Sequence, residues 1–465
     1  MEAFCIYSNE LRNRIDPHYY RPYFIKFYEQ MMQTKFKLTT IAEISEKVTS
    51  GATPLSKGEA YTTKEEGIPF IRSGDINEDK SINFDDILFI EEKIHNNLLK
   101  GSKLKKGDIL IAIVGATIGQ ISIWDYDKEA NINQAIALVR LKQEINPEYI
   151  KAFMISTLGQ KQLDRIKRPV ARANINLDEI RNLNIILPPL EIQNKIVSLM
   201  DNAYKNQKYK NVEANKFIDS INNFVLSELN IIIPDLKDNT TYSINYTAVQ
   251  NKRLDVNYYQ SKFKNILNSI EKGKYPIKKL KELLDYTKKG IEVGSEEYLS
   301  DGVPFVRVAD ITNYNTNLKT AKKISQNLYN QLKEEYNPKK GELLFSKDGT
   351  IGICNLVKND DEFIVSNGIL RLKCKIDVNS IYVKSILSNY LFQLLLERES
   401  IGAIIKHLSP GDLLNLYIPI PPFSIQNKIA EEVNNRLEKA KKLQEEAKME
   451  VEKAKEEVEK IILNQ

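Results

Sequence analysis

The most regular hydrophobic pattern of the chain follows Gln426. Apolar residues recur there every seven positions in two rows, with Glu and Lys between them. The first row holds Val433, Ala440, Ala447, Ala454 and Ile461, and the second holds Ala430, Leu437, Val451 and Val458. Two interleaved rows of this kind are typical of a helix that packs along a seam against another helix. The segment is therefore predicted to be a long charged helix with one narrow apolar face.

A weaker version of the same pattern follows Gln193, where the polar residues Gln207 and Asn211 interrupt the rows. The apolar positions are Val197, Met200, Tyr204, Ala214, Ile218, Ile221 and Val225. We predict two helices of about 35 to 40 residues that pair as a coiled coil roughly 50 to 60 Å long. Both follow the same Pro-Pro step, so an antiparallel pairing is expected. The alternative is a solvated charged helix that packs on no other helix.

Shorter elements are predicted elsewhere in the chain. Apolar runs bounded by glycine, at residues 107–115 and 341–349, are typical of buried strands. Asn146 before Pro147 predicts a helix start, and Asn379 predicts its counterpart. That first helix would place Ile150, Phe153, Met154 and Leu158 on one face. The fold class is therefore α/β (α+β).

The chain also repeats itself. Residues 14–20 return as 253–259, residues 67–72 as 302–307, and residues 187–196 as 420–429, in the same order and at nearly constant spacing. So long a period indicates a duplicated domain pair rather than a solenoid. Two similar halves imply two similar surfaces about an approximate two-fold axis, which suits double-stranded DNA or two copies of one partner.

These patterns divide the chain into four segments. Residues 1–188 and 233–421 are predicted to be two pseudo-repeated globular domains. Residues 189–232 and 422–465 are predicted to be the two long helices that separate them as an antiparallel coiled coil.

Composition narrows the function classes. Lys plus Arg number 67 against 62 for Asp plus Glu, a formal charge of +5, so bulk charge does not indicate a nucleic-acid binder. The chain has three Cys and three His, too few and too scattered for a structural metal or disulfide framework. No long apolar run and no signal-peptide pattern occurs, so we expect a cytoplasmic protein with no membrane contact.

Catalytic motifs are missing from the sequence. Residues 420–423 resemble the Pro-Pro motif of amino-methyltransferases, but Ile420 has no hydrogen-bonding atom to hold a target amino group. No P-loop pattern for a nucleotide occurs either. We therefore expect no cofactor and no catalysis by this chain.

The duplicated order of several short motifs resembles the specificity subunit of type I restriction-modification systems. The motifs are Gly-x-Pro-φ-x-Arg, Lys-Gly-acidic-φ-Leu, a Gly-x-x-Gly type loop and φ-Pro-Pro-x-x-x-Gln, where φ is apolar. They occupy residues 67–72, 106–110, 115–119 and 187–193, and again 302–307, 340–344, 349–352 and 420–426. The sequence departs from the family at Ile192 and Ile425, where an acidic residue is usual, and at Gln207 and Asn211 in the first seam.

The resemblance implies a function for each part. Each globular half would be a target recognition domain that reads one part of a split DNA site, and the helices would be spacers. The implied partners are a modification (methyltransferase) subunit, in two copies, and a restriction (translocase and nuclease) subunit in a prokaryotic cell. Two other hypotheses stay open: a duplicated protein-interaction scaffold that does not recognise a DNA sequence, and an enzyme with an unrecognised active site.

Candidate DNA contacts are cations and polar residues able to bind phosphates or base edges. The richest segment is residues 165–174, which precedes the first exit strand. Arg72 and Arg307 occupy matched positions, where an internal salt bridge is an equal alternative. The full set is Arg72, Ser73, Lys103, Lys105, Arg165, Lys167, Arg168, Arg172, Asn174, Lys288, Lys289, Arg307, Lys347, Lys406 and His407.

Candidate partner contacts lie at the start of each long helix: Gln193, Val197, Met200, Gln426, Ala430 and Val433. The two halves differ where DNA contacts are expected, since residues 112–114 (Ala-Ile-Val) correspond to residues 346–348 (Ser-Lys-Asp). Unlike loops on a symmetric scaffold predict an asymmetric, two-part DNA site. Its half-sites would lie one or more helical turns, about 34 to 36 Å each, apart.

We expect Arg172→Ala to weaken or relax recognition of the first half-site alone, because the residue belongs to the loop of one domain. Binding-site selection with the variant checks this. An equal loss at both half-sites would mean that Arg172 acts through folding.

Overall fold

A computed structural model describes residues 4–5, 11, 14–54, 60–77, 81–168, 173–239, 241–245, 249, 253, 255–402 and 406–463. The chain packs into two compact units. Unit 1 is Met1–Val212 with Leu443–Gln465, and unit 2 is Glu213–Lys442. Each long helix is thus divided between the units, whereas the sequence pattern set the helices apart as segments of their own. The difference arises because each helix half packs on a globular core.

Unit 1 is a mixed α and β domain. Its helices are α1 (Pro22–Met32), α2 (Ile41–Ile44), α3 (Glu92–Asn96), α4 (Pro147–Ile155), α5 (Thr157–Ile166), α6 (Leu177–Arg181) and part of α7 (Leu190–Glu228). Its strands are β1 (Lys37–Thr40), β2 (Ser45–Ser50), β3 (Tyr61–Thr62), β4 (Ile68–Ile71), β5 (Leu88–Ile90), β6 (Asp108–Ala112), β7 (Ile121–Trp124), β8 (Asn131–Ile132), β9 (Ile136–Leu141) and β10 (Asn184–Leu187).

Three sheets organise these strands. An antiparallel sheet has the order β2-β9-β6-β7, and a second sheet has the order β3-β5-β4-β8, in which β4 and β8 run parallel. Strands β1 and β10 form an antiparallel pair, which brings the start of the domain to the strand before the Pro-Pro step.

Unit 2 repeats this architecture. Its helices are α8 (Ser261–Glu271), α9 (Gln326–Tyr336), α10 (Ser380–Leu387), α11 (Tyr390–Glu399), α12 (Pro410–Leu414) and parts of α7 and of α13 (Phe423–Leu463). Its strands are β11 (Ile277–Lys279), β12 (Leu284–Lys289), β13 (Val303–Val306), β14 (Lys322–Ile324), β15 (Leu343–Ser346), β16 (Cys354–Leu356), β17 (Ile364–Val365), β18 (Ile369–Cys374) and β19 (Tyr417–Pro419). The sheet order β12-β18-β15-β16 matches β2-β9-β6-β7 of unit 1, and β14-β13-β17 matches β5-β4-β8, while β3 has no counterpart among the described residues of unit 2. The predicted pseudo-repeat of two α+β domains is confirmed.

The central strand of each unit is buried on both faces. In β6, Ile109 and Ile111 join the main core, while Leu110 joins a second cluster on the opposite face of the sheet. In β15, Phe345 and Leu344 divide in the same way. The alternation follows from the two-residue period of a strand. These are the two glycine-bounded runs in which buried strands were predicted.

Each central strand region also carries a buried carboxylate that is paired with an arginine. Asp108 accepts hydrogen bonds from Arg140 Nε (2.8 Å) and Nη2 (2.6 Å). Glu342 accepts from Arg371 Nε (2.7 Å) and Nη2 (2.9 Å). A buried charge is tolerated when its partner is bidentate and hydrogen-bonded. The acidic residue of the Lys-Gly-acidic motif therefore has a structural role.

The repeated motif at residues 14–20 and 253–259 fixes the entry of the chain into each domain. Tyr20 Oη donates to Arg14 O (2.7 Å), as Tyr259 Oη does to Arg253 O (2.6 Å). The guanidinium of Arg14 lies 4.9 Å from the ring centroid of Tyr19. The same distance separates Arg253 from the ring of Tyr258.

The two long helices pair antiparallel inside unit 1. Asn206 Nδ2 donates to Glu450 Oε1 (3.2 Å). One turn further along α7, Lys210 Nζ lies 3.2 Å from Glu446 Oε2, one turn back along α13. Positions that advance in one helix while they recede in the other define an antiparallel pair.

Unit 2 holds a second antiparallel stretch of the same two helices. Arg436 Nη1 donates to Ser220 O (3.0 Å), and Lys428 Nζ lies 3.0 Å from Glu228 Oε2. Most of the predicted seam positions of α13 are buried: Ala430, Val433, Ala440, Ala447, Val451, Ala454 and Val458. Near the end of α13 the fully buried residue is Ile462, whereas the heptad row predicted Ile461. Paired helices are confirmed, and the solvated-helix alternative is wrong.

The predicted helix after Asn146 is two helices. Asn146 caps α4 as expected, since its side chain accepts from the backbone N–H groups of Glu148 and Tyr149. The chain then becomes extended at Ser156 before α5 begins, so Leu158 lies in the second helix. Neither long helix, nor any other described helix, has an apolar stretch sufficient to cross a lipid bilayer.

We expect Gly159→Ala to destabilise unit 1 by about 1 to 2 kcal/mol, because overpacking against backbone outweighs the gain in helix propensity. A Cβ at this position would lie 2.3 Å from the carbonyl oxygen of Met154. Gly101→Ala is the matched control, since a Cβ there meets nothing within 4 Å. Urea denaturation checks the pair, and equal stabilities would contradict the close approach of α5 to the end of α4.

Candidate functional site

A pair of loops follows the central strand in each unit, and its backbone is the same in both. In unit 1, Gly115 N donates to Ala173 O (2.9 Å) and Ile175 N donates to Ile113 O (2.9 Å). We call residues 113–119 with 173–175 the paired loops of unit 1. The first segment follows β6, and the hydrogen bonds join it to the second segment, which lies more than 50 residues later in the chain.

The paired loops of unit 2 are residues 347–352 with 406–408. Gly349 N donates to Lys406 O (2.8 Å), and Leu408 N donates to Lys347 O (2.8 Å). Gly349 has φ +68° and Gly352 has φ +89°, a left-handed conformation that glycine adopts without a steric penalty. The glycine motif of the repeat therefore shapes this turn.

A glutamine from a helix later in the chain, α5 in unit 1 and α11 in unit 2, holds each turn. Gln160 Nε2 donates to Gly119 O (2.9 Å), and Gln393 Nε2 donates to Gly352 O (2.9 Å). The backbone of the paired loops is thus anchored by matched contacts in the two units, whereas their side chains differ.

An ion pair between Arg168 and Glu179 lies beside the paired loops of unit 1. Arg168 binds Glu179 through Nη1 and Nη2, each at 2.9 Å. Asn174 is exposed, and its Oδ1 lies 3.4 Å from Arg168 Nη1. This arrangement leaves an amide side chain at the surface of the loop.

Unit 2 places a charged network at the equivalent positions. Asp348 accepts from Lys347 Nζ (2.5 Å) through one carboxylate oxygen and from His407 Nδ1 through the other. Lys406 Nζ is paired with Glu397. Partial burial favours a higher pKa, but the bonds from Lys347 and His407 outweigh it and hold the pKa of the Asp348 carboxyl below its ordinary 3.8.

A cavity of about 490 Å³ lies beside the paired loops of unit 2. Its lining includes Gly349, Thr350, Gln393, Glu397, Ser400 and Lys406. Within the described ranges, no group of three or more His, Cys, Asp or Glu residues is arranged to hold a metal ion.

Several predicted DNA contacts have internal partners. The guanidinium of Arg165 stacks 4.2 Å from the rings of both Tyr19 and Tyr28 and donates to Tyr19 O (3.0 Å). Lys347 is 4% exposed. A stacked arginine and a buried lysine are not free to reach a phosphate or a base. For these two residues the structure favours a scaffold role over DNA contact.

The matched arginines of the Gly-x-Pro-φ-x-Arg motif cap short 3₁₀ helices. Arg72 Nη2 lies 2.9 Å from Asp75 Oδ1, and Arg307 Nε lies 3.3 Å from Asp310 Oδ2. Both side chains are thus engaged in the internal salt bridge that was the alternative to base contact. Their contact with DNA stays a prediction.

The other predicted DNA contacts are distributed over both units. Lys103 Nζ donates to Asn96 Oδ1 (2.5 Å), while Lys105 is exposed. Lys288 and Lys289 are exposed on β12, an edge strand. Ser73 and Lys167 are half-buried. Arg172 lies outside the described residues.

The predicted partner contacts are mostly internal. Met200, Gln426, Ala430 and Val433 are buried in their own units, so they cannot form a free surface. Gln426 Nε2 donates to Pro421 O (3.0 Å), and Gln193 Nε2 donates to Pro188 O (2.9 Å). The motif glutamine therefore holds the Pro-Pro step. Val197 is half-buried and packs against the core of unit 1.

Two exposed residues at this step were not anticipated. Leu190 and Phe423 occupy the same position of the repeat, at the first residue of α7 and α13, and both are exposed. An apolar residue placed directly after Pro-Pro in both copies was the signal available in the sequence. Asp348, which replaces Val114, was noted as part of the differing stretch 346–348 but was not among the predicted site residues.

Comparison with known proteins identifies a related family. A model of the type I restriction modification DNA specificity domain matches residues 33–218 and again residues 272–453. The type I restriction enzyme EcoBI specificity subunit of Escherichia coli is 32% identical over 165 residues, which are 35% of this chain and 34% of that protein. The chain thus matches about a third of the length of that relative.

Solved structures of low sequence identity also align. One, described as the structural basis of complex assembly and conformational transition of the type I R-M system, is 15% identical with a TM-score of 0.47. The crystal structure of the type I restriction-modification S subunit from M. genitalium is 13% identical with a TM-score of 0.42. Each alignment covers 92% of this chain and 96% of the other.

We expect Asp348→Asn to lower the free energy of unfolding by less than about 1 kcal/mol at pH 7, because the ion pairs are partly exposed. A carboxyl whose folded pKa lies below its unfolded value stabilises above the unfolded pKa, and loses that contribution as the pH falls through the folded pKa.

The difference from wild type should therefore shrink below about pH 4. Urea titrations at several pH values measure it. Asp361→Asn, a change of an exposed carboxylate in the same unit, is the control and should alter stability by no more than about 0.5 kcal/mol. A difference between Asp348→Asn and the wild type that did not shrink below about pH 4 would contradict the lowered pKa of Asp348.

Proposed function

Because the chain belongs to the family of type I restriction modification DNA specificity domains, which it matches twice, we propose that it is the DNA specificity subunit of such a complex. It binds double-stranded DNA and makes and breaks no bonds itself. The observation that carries the proposal is the coincidence of the two family matches with two units of the same fold that carry unlike paired loops.

The site that this subunit reads is asymmetric and has two parts. Each unit reads one half-site through side chains at base edges in the major groove. Matched backbone hydrogen bonds place the paired loops alike in each unit, and the change from Val114 to Asp348 gives them different hydrogen-bonding groups. The functional division is then residues 1–188 and 233–421 as target recognition domains, with residues 189–232 and 422–465 as spacers.

The proposed partners are two modification (methyltransferase) subunits and a restriction (translocase and nuclease) subunit, in the cytoplasm of a prokaryotic cell. The formal charge of +5 is small for a protein of 53.5 kDa, which supports a division of labour with other subunits. Phosphate contacts supply much of the affinity for DNA, and partners would supply part of them. A few base contacts in each unit, each good bidentate one worth about 1 to 3 kcal/mol, then suffice for discrimination.

We expect co-expression of the chain with a modification subunit to methylate one split genomic motif. Sequencing of methylated bases identifies the motif. The chain expressed alone should methylate nothing, because the reaction belongs to its partner. Binding of the purified pair without sequence preference would contradict the proposal and favour a protein-interaction scaffold.

We expect the length of the helices to set the spacing of the half-sites. Removing residues 206–212 together with residues 444–450 deletes facing segments of the antiparallel pair in unit 1, in which Asn206 bonds Glu450. Each helix is then shorter by about 10 Å, which corresponds to about three base pairs of DNA. The preferred spacer should shorten by that amount, and both half-sites should keep their sequences.

Lys210→Ala is the matched control, because it removes the ion pairs to Glu446 and Glu450 without shortening either helix. Its spacer preference should equal that of the wild type. Site selection that returned the original spacing for the shortened helices would refute the role of helix length.

A further inference from the structure

The equivalent positions 174 and 407 carry different side chains on the same backbone arrangement. Asn174 forms a β-bridge with Val114, and His407 forms one with Asp348. Both residues are exposed, and the imidazole of His407 is 46% exposed. The backbone at this position is the same in the two copies, whereas the exposed side chain is an amide in one and an imidazole in the other. Such a position is suited to recognition of two different ligands.

The carboxylate of Asp348 fixes the tautomer of the neutral imidazole. An ionised carboxylate only accepts hydrogen bonds, so the ring nitrogen that it binds, Nδ1 of His407, must carry the proton. In the neutral ring, Nε2 then has no proton and presents a lone pair. Within the part of the chain that the structure describes, Nε2 of His407 makes no hydrogen bond.

Charged neighbours keep this arrangement in place. Lys347, which is buried, binds the second oxygen of Asp348 and so holds the carboxylate in one orientation. Lys406, next to His407 in the chain, is paired with Glu397. Lys347 and Lys406 thus each have a carboxylate partner, and Nε2 of His407 is an acceptor on an exposed side chain of the loop.

We propose that His407 reads an exocyclic amino group, adenine N6 or cytosine N4, in the second half-site through Nε2, with Asp348 and Lys347 as positioning residues. In the major groove these amino groups are the hydrogen-bond donors of the bases, whereas guanine O6 and thymine O4 are acceptors. The inference rests on the proposed function and adds to it the chemical group that one unit recognises.

Unit 1 has no carboxylate–imidazole pair at the equivalent positions 114 and 174. Val114 stands where Asp348 stands in unit 2, and its side chain accepts no hydrogen bond. The amide of Asn174 carries both donor and acceptor groups. Asn174 therefore serves as the matched comparison, because its replacement alters the other half-site.

The test uses the chain in complex with its modification subunit and the split motif found by sequencing of methylated bases. Motifs are determined for the wild type and for His407→Ala, Asp348→Ala and Asn174→Ala. We expect His407→Ala and Asp348→Ala to relax the same single position of one half-site. Asn174→Ala should leave that half-site intact and relax the other.

A second measurement identifies the group on the base. Affinity is measured for two duplexes that differ at the relaxed position, one with the natural base and one with an analogue that lacks its exocyclic amino group. The wild-type complex should lose about tenfold in affinity for the analogue. His407→Ala and Asp348→Ala should bind the two duplexes equally, whereas a general loss of affinity for both would indicate a merely structural role.

The outcomes separate the two proposals. A wild-type complex without sequence preference overturns the proposed function and this inference together. A wild-type complex that reads a split motif, combined with an unchanged motif for His407→Ala, overturns the inference alone. An intact other half-site in each variant shows that the complex is folded.

Discussion

The buried pairing of a carboxylate with a guanidinium on neighbouring strands is the interaction on which each unit depends. Asp108 with Arg140, and Glu342 with Arg371, join the start of the central strand to the strand beside it. The desolvation of two charges makes such a pair a weak source of net stability, but an unpaired charge there would cost about 3 to 5 kcal/mol. The pair therefore specifies one strand register, and the register sets where the paired loops emerge.

The duplication preserved this framework and changed what it carries. Residues shared by both copies, such as Arg14 and Arg253 or Gln160 and Gln393, contact backbone inside their own units. The motifs that make the repeat visible thus maintain the scaffold. The paired loops differ in their side chains on a matched backbone, so the hydrogen bonds that they offer to a ligand differ.

Much of the fold could be predicted from the sequence, because its signals are local. Glycine-bounded apolar runs gave the central strands, the Asn146 cap gave α4, and heptads gave the long helices. The site could be predicted only in outline. The role of a cation depends on its surroundings in the fold: Arg165 stacks on Tyr19, which is distant in sequence, and Lys347 is buried. Residue type and spacing do not reveal such contacts, so the sequence could not separate cations with internal partners from those at the surface.

Unit 1 is built from two distant stretches of chain, so it cannot be completed until its second stretch has been synthesised. Its core includes Val451, Ala454, Val458 and Ile462 of α13, and Thr34 Oγ1 donates to Ile462 O (3.0 Å). A ribosome releases residues 1–212 long before it reaches that stretch. The domain translated first is thus the one completed last, and during this interval the hydrophobic surface that α13 covers in the folded unit is exposed to solvent.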